Sequence, residues 1–134
     1  MSERIIEIFI NSFPKLLELG IKVTIPIAIM SFLLAFVISV IVAFIQYARV
    51  PVLSAISRFY IWITRGTPLL VQLYIFFYGF PVFGIKFNPF VCGVLVLGLN
   101  EGAYMSETMR ASLEAVPSGQ LEAGYGVGMN YMHI

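Results

Sequence analysis

Long apolar stretches alternate with short charged segments along the chain, and their lengths predict helices that cross a membrane. Charged residues are missing from 23–48, from 66–85 and from 87–100. A helix needs about 20 apolar residues to cross the hydrocarbon core of a bilayer. The first stretch therefore spans with length to spare, the second just spans, and the third spans only if Glu101 is accepted near its inner end. The pattern predicts three crossings, at about 23–48, 66–83 and 87–108.

The segments outside these stretches have the spacing of amphipathic helices. In 1–22, apolar residues recur every three or four positions with charges between them, which predicts a helix lying in the membrane interface. The connector 49–65 has similar spacing and carries Tyr60 and Trp62, two side chains that favour the membrane–water boundary. The predicted fold is all-α: polytopic membrane helices with an interfacial helix before them.

Two helix boundaries have recognisable signals. Thr67 followed by Pro68 predicts a helix cap with proline at the first helical position. An alternative for the 65–68 segment is a helix start that binds phosphate or carboxylate. The third helix is expected to continue beyond the membrane and to end before Pro117, because three charged residues at its end are spaced for helical ion pairs. These residues are Glu107, Arg110 and Glu114.

Composition supports a membrane protein and excludes several other classes. Hydrophobic residues make up 60% of the chain, charged residues 11%, and the mean hydropathy is +0.94. Soluble domains carry roughly 25% charged residues, and disordered chains are low in hydrophobicity. A net charge of +1 gives no basic surface for nucleic acid. An integral membrane protein is the class that remains.

Catalytic and metal-binding patterns are absent from the sequence. There is no glycine-rich loop ending in Gly-Lys-Ser/Thr that would bind ATP. The single histidine, His133, and the single cysteine, Cys92, are too far apart in the chain to build a metal cluster, and Cys92 is expected to pack inside an apolar helix. We expect no cofactor, no metal and no enzymatic activity.

Two patterns in the third crossing suggest contacts made inside the membrane. An acidic side chain at this depth faces either a solute path or the wet interface, and both alternatives stay open for Glu101. Gly98 and Gly102, with Ser106 one turn further on, form a small-residue stripe, for which close helix packing is the favoured interpretation. Basic residues are balanced between the two sides of the membrane, so charge indicates orientation only weakly, with 49–65 favoured as cytoplasmic.

Three motifs in order resemble the membrane permeases of ABC importers for polar amino acids. They read RGTPLLVQ at 65–72, LNEGAYMSE at 99–107 followed by Arg110, and VPSGQLEAG at 116–124. The last leads into a segment similar to the family's cytoplasmic EAA loop, in which Glu-Ala-Ala is followed after three residues by glycine. Here Glu122, Ala123, Gly124 and Gly128 occupy those positions, and Gly124 replaces the second alanine.

The resemblance implies a multi-pass permease in a bacterial inner membrane, with an extracytoplasmic N-terminus and 117–134 in the cytoplasm. Its expected partners are a separate ATP-binding subunit, a second or homologous permease copy, an extracytoplasmic solute-binding protein and the lipid membrane. The implied coupling residues are Glu122, Ala123, Gly124 and Gly128. The implied solute, a polar amino acid, is expected to pass Asn100 and Glu101, where Glu101 is suited to an ammonium group. The permease region is expected to cover 23–116.

The family continues from the EAA loop through about two more crossings, so the resemblance predicts that this chain is an incomplete permease. The coupling segment contains four glycines, which weaken an isolated helix, and we expect a partner to order it. The alternative is a small three-helix membrane protein for assembly or regulation, or a truncated permease without transport activity. A downstream reading frame with two more apolar runs would favour the permease.

Overall fold

The computed structural model describes residues 2–130 and 133, and every regular element within these residues is helical, which confirms the predicted all-α fold. Two π-helical turns and one 3₁₀ turn join some of the α-helices; they are Gly20–Thr24, Ile75–Gly79 and Phe80–Phe83. The α-helices are α1 (Ser2–Leu19), α2 (Ile25–Tyr47), α3 (Pro51–Gly66), α4 (Leu69–Tyr74), α5 (Pro89–Glu114) and α6 (Ser118–Gly126).

The first two helices are continuous. The sequence placed a boundary between 22 and 23, but one helix of 42 residues runs from Ile6 to Tyr47. The π-helical turn at Gly20–Thr24 absorbs an extra residue without ending the helix, as such turns do. Pro26 falls in the first turn of α2, where the missing N–H is least costly. The interfacial position of the segment before this turn stays a prediction.

A sharp bend separates α3 from α4. The axis turns by 103° between Pro51–Gly66 and Leu69–Phe83. Thr67 is extended, with φ −117° and ψ 130°, because the ring of the following proline disfavours the helical conformation at the preceding residue. The predicted crossing 66–83 is therefore not one regular helix: Gly66 ends α3, and α4 begins only at Leu69.

The predicted cap at Thr67 is wrong. Pro68 occupies the N-cap position of α4 and no side chain caps this helix. The Thr67 hydroxyl instead donates to the carbonyl oxygen of Ile63 at 2.6 Å, and thus belongs to the end of α3. A functioning cap is found at Asn88, whose Oδ1 accepts from the Phe90 amide at 2.9 Å and starts α5.

By length and composition, the helices of the structure support fewer membrane crossings than the three that the sequence predicts. Within residues 2–130 and 133, Ile6–Tyr47 is able to cross a membrane by itself, and a second span results if the bent pair Pro51–Gly66 and Leu69–Phe83 is taken as one. The third predicted crossing, 87–108, corresponds to α5, which has 26 residues and carries four charges, all from Glu101 onward. Three crossings therefore stay a prediction.

Helices α2 and α5 form the principal packed pair, and α3 packs against both. A small core joins Val42 of α2, Ile61 of α3 and Ala103 of α5. Many large apolar side chains of α2 point away from this pair and are about half exposed, as expected for a helix that contacts lipid. Examples are Ile29, Phe32, Leu33, Phe36 and Val37.

Candidate functional site

The small-residue stripe of α5 faces α2 at very short range. A Cβ atom added to Gly98 would lie 2.6 Å from Cδ2 and 3.1 Å from Cβ of Leu34. At Gly102 the added atom would lie 3.0 Å from Cγ2 of Ile38 and 3.3 Å from the Tyr60 hydroxyl. Both glycines are buried, so the two backbones approach as closely as they do only because these positions lack side chains.

Two hydroxyl groups complete this seam between α2 and α5. Ser106 is fully buried and its hydroxyl donates to the carbonyl oxygen of Ala103 at 2.8 Å, within α5. Tyr60 of α3 donates to the carbonyl oxygen of Leu99 at 2.5 Å, which ties the connector to the middle of α5. Both of these hydroxyl groups therefore have an acceptor, whereas the buried hydroxyl of Ser31 on α2 has no hydrogen-bond partner among the described residues.

Asn100 and Glu101, the predicted solute contacts, point in different directions. Asn100 is half-buried, and its Nδ2 donates to Oε1 of Gln72 at 3.3 Å, across the gap between α5 and α4. Glu101 is exposed and has no hydrogen bond or ion pair among the described residues. Neighbouring residues on a helix are separated by about 100° around the axis, so these two side chains do not converge in this chain.

Gln72 is the residue of this region that sequence reasoning did not single out. Its Nε2 donates to the carbonyl oxygen of Thr64 at 2.7 Å and to that of Thr67 at 2.9 Å. These two carbonyl groups lie at the end of α3 and in the bend, where helical acceptors have no partner of their own. With Asn100 on its Oε1, Gln72 connects the bend to α5.

A charged network lies one to three turns further along α5. Arg65 pairs with Glu107, and its guanidinium carbon lies 4.9 Å from the centre of the Tyr104 ring. Arg110 contacts Glu107 at 3.9 Å and Glu114 at 2.9 Å, which confirms the predicted helical ion pairs. The contact from Arg65 joins residues far apart in sequence, and the spacing of charges along a single helix gives no signal for it.

The predicted coupling residues lie in and just after α6. Glu122 and Ala123 are exposed, and no residue of this helix is buried. Because α6 begins at Ser118, Glu122 lies beyond its first turn, outside the region in which a helix dipole stabilises a carboxylate. The segment is nevertheless helical within this chain.

Gly128 has a specific backbone role at the end of α6. Its φ is +82°, a conformation that residues with a side chain rarely adopt. The amide of Met129 donates to the carbonyl oxygen of Gly124 at 2.9 Å, and that of Gly128 donates to Tyr125 at 3.0 Å. This pair of bonds is the Schellman arrangement that closes a helix. Gly128 therefore fixes where α6 ends.

Comparisons with known proteins point to one group of membrane proteins. The family described as "Binding-protein-dependent transport system inner membrane component" matches residues 35–134. The L-cystine transport system permease protein TcyB of Bacillus subtilis is 45% identical over 121 residues, covering 90% of this chain and 52% of TcyB. The nopaline transport system permease protein NocM of Agrobacterium fabrum is 38% identical over 135 residues, covering 93% of this chain and 56% of NocM.

A solved structure agrees with these sequence matches. The structure described as "Crystal structure of an amino acid ABC transporter with histidines" superposes with a TM-score of 0.76 at 30% sequence identity. The match covers 91% of this chain and 58% of the other. The chain thus spans between about half and three fifths of the length of the relatives it matches.

Proposed function

Because the chain belongs to the family of binding-protein-dependent transport system inner membrane components, we propose that it works as a membrane permease subunit of an ATP-driven importer for polar amino acids. It provides part of the translocation path, and ATP is hydrolysed on a separate subunit. The relatives support the solute class, since their names specify transport of L-cystine and nopaline. A second permease copy or a homologous permease completes the path, and an extracytoplasmic binding protein delivers the solute.

The observation that carries this proposal is the exposure of α6. Each residue of Ser118–Gly126 is at least partly accessible, and Gly119 and Gly126 have no neighbouring atom within 4 Å of an added Cβ. A short helix with small residues and a fixed end offers its backbone to close approach by another protein. In the proposed importer, Glu122, Ala123, Gly124 and Gly128 form the surface that contacts the ATP-binding subunit on the cytoplasmic side.

The solute path is assigned to the α4–α5 region. Asn100 lies beside Gln72, where polar side chains meet inside an apolar bundle, and Glu101 is free to meet the ammonium group of an amino acid. The crossing helices alternate around this midplane site between outward-open and inward-open states, as the helix bundles of secondary transporters do. Gly98, Gly102 and Ser106 keep α5 packed on α2 during this movement.

Site-directed cross-linking tests the coupling surface. Cys92 is changed to alanine to remove the native thiol, and Ala123→Cys then introduces a single cysteine on α6, in membranes that contain the full importer. We expect a reagent with one thiol-reactive end and one photoreactive end to join this chain to the ATP-binding subunit, because the photoreactive end needs no cysteine on the partner. A matched control is Val82→Cys, whose side chain is 81% exposed but lies far from α6 in sequence, in the turn before α5.

The coupling role of α6 is tested by comparing the adducts formed from the cysteines at positions 123 and 82. An ATPase adduct from position 123 and none from position 82 supports the coupling role of α6. No adduct from position 123 in an importer that still assembles and binds ATP contradicts that role, because a docked helix places this side chain at the interface.

A further inference from the structure

A polar cleft of about 530 Å³ opens where α2 ends, α3 begins and α5 leaves the bundle. Charged and amide side chains from all three helices line it. They include Gln46, Arg49, Arg58, Glu107, Arg110 and Glu114. None of the roles assigned above uses this cleft, which is separate from both Asn100 and the coupling helix.

Two donors inside the cleft lack acceptors. Nε2 of Gln46 and Nε of Arg110 are both buried, and neither has a hydrogen-bond partner among the residues that the structure describes. A buried donor without an acceptor loses the hydrogen bonds that it makes to water in the unfolded chain, and such groups in native proteins call for an explanation. A ligand that brings acceptor oxygens into the cleft would satisfy both donors once the side chains of Gln46 and Arg110 turn toward it.

The charges of the cleft are unbalanced toward positive. Its two carboxylates are already engaged, because Glu107 pairs with Arg65 and Glu114 accepts two bonds from Arg110. The guanidinium groups of Arg49 and Arg58 have no carboxylate within ion-pair distance among the described residues. The cleft therefore offers two guanidinium groups without a carboxylate partner, and the planar arrangement of their N–H donors suits phosphate oxygens.

Arg49 occupies a backbone conformation that favours glycine. Its φ is +52°, and the amides of Arg49 and Val50 donate to Gln46 and Ile45 in the arrangement that ends α2. The left-handed conformation is strained for a residue with a side chain, because its Cβ atom comes too close to the following carbonyl oxygen. Strained backbone positions are concentrated at functional sites, so an arginine in this conformation at the edge of a cleft indicates a binding role for its side chain.

The surface beside the cleft suits an amphiphile. On α3, Phe59 and Trp62 follow Arg58, and these aromatic side chains are 60% and 71% exposed. Trp62 lies one helical turn from Arg58 and therefore on the same face. Tryptophan is enriched at the level of lipid headgroups. A molecule with an anionic head and an apolar tail fills the cleft and covers this aromatic face at the same time.

We propose that this cleft binds the phosphate group of an anionic phospholipid headgroup, with Arg49 and Arg58 as its principal contacts. The unsatisfied donors of Gln46 and Arg110 supply the inner hydrogen bonds. Anionic lipids attract basic residues at the membrane surface, which gives about a fivefold gain in binding for each arginine. The proposal concerns lipid binding alone and does not depend on the transport role.

Quenching of tryptophan fluorescence gives a local measurement. Trp62 is the only tryptophan of the chain, and lipids with brominated acyl chains quench a tryptophan that they contact. The 134-residue chain is reconstituted in phosphatidylcholine vesicles, and brominated phosphatidylglycerol is compared with brominated phosphatidylcholine as quencher. We expect the chain to prefer phosphatidylglycerol. Arg49→Gly and Arg58→Gln should each reduce this preference about fivefold.

The variants are chosen so that misfolding does not imitate the result. Arg49→Gly relieves the positive φ, so the helix end keeps its conformation while the charge is lost. Lys86→Gln removes one exposed positive charge in the loop before α5, and it should leave the preference unchanged. Circular dichroism of each variant checks that helicity is retained.

Three outcomes overturn the proposal. An absence of preference in the unchanged chain shows that the cleft does not select anionic lipid. An equal loss in Lys86→Gln shows a general effect of surface charge. A preference that both Arg49→Gly and Arg58→Gln retain shows that the lipid binds elsewhere on the chain. Loss confined to Arg49→Gly and Arg58→Gln supports the proposal.

Discussion

The seam between α2 and α5 and the short helix α6 are both rich in small residues, and they use these residues in opposite ways. In the seam, Gly98 and Gly102 are buried against Leu34 and Ile38. In α6, no residue is buried, and the glycines at its two ends have open space around them. The same residue type therefore accompanies a close contact between two helices and a helix without buried residues.

This difference shows how a stripe of small residues should be interpreted. Such a stripe permits close approach of a backbone, but it does not identify what approaches. In the seam the partner is α2 of the same chain, whereas for α6 we propose the ATP-binding subunit. Substitutions that add a single methyl group should therefore have opposite consequences in the two regions.

The largest effect is expected in the seam. Gly98→Ala places a Cβ at 2.6–3.1 Å from three atoms of Leu34, so the whole side chain and both helices must move apart. We expect a loss of about 1–3 kcal/mol in the free energy of unfolding. The thiol of Cys92, which is 2% exposed on the same helix, reports unfolding when it becomes reactive to a fluorogenic maleimide during heating.

Gly93→Ala is the matched control for this substitution. Its added Cβ meets Ile27 at 3.8 Å, an ordinary van der Waals distance on the same pair of helices. The unfolding temperature of this variant should stay close to that of the unchanged chain. Equal stability of Gly98→Ala and Gly93→Ala would show that α2 and α5 are not packed as closely as described.

A smaller effect is expected when α5 loses its polar contact and keeps its packing. Gln72→Leu removes the donations to Thr64 and Thr67 and leaves Asn100 without its acceptor. The C-terminal end of α3 and the bend after it then lose about 1–2 kcal/mol of hydrogen bonding. Spin labels on α3 and α4 should report a broader distribution of the distance across the bend.

Gln72→Glu separates the two contacts of this side chain. It keeps an acceptor for Asn100 but has no Nε2 to donate to the bend. If the bend depends on that donation, its distance distribution should broaden as much as in Gln72→Leu. A narrow distribution in both variants would mean that Pro68 alone holds the bend through its effect on Thr67.

Much of the fold is predictable from local sequence, because its causes are local. Hydropathy predicts the long apolar helices, and helical spacing predicts the ion pairs of Arg110. The three motifs identify the family, which the match over 35–134 confirms. The small-residue stripe was visible from the spacing of Gly98 and Gly102. The partner surface of that stripe is a property of the folded chain and not of the spacing.

The errors have physical reasons of two kinds. At Thr67 and at Gly20–Thr24, the local sequence allows two backbone conformations. A hydroxyl closes the preceding helix as readily as it starts the next, and a π-helical turn carries a helix through glycine. The contacts of Gln72 with Asn100 and of Arg65 with Glu107 were missed because the partners are far apart in sequence.

The smallest effects are expected in α6, and they differ in sign. Gly119→Ala adds a methyl group with no atom within 4 Å and replaces a poor helix former, so it should stabilise α6 by about 0.5 kcal/mol. Gly128→Ala forces a side chain into φ +82° and should destabilise the helix end by about 1 kcal/mol. Hydrogen exchange of the α6 amides in the full chain measures both, as slower exchange in the first variant and faster exchange at Gly128 and Met129 in the second. Faster exchange in Gly119→Ala would mean that this face of α6 contacts something in the chain, and the contrast with the seam would then fail.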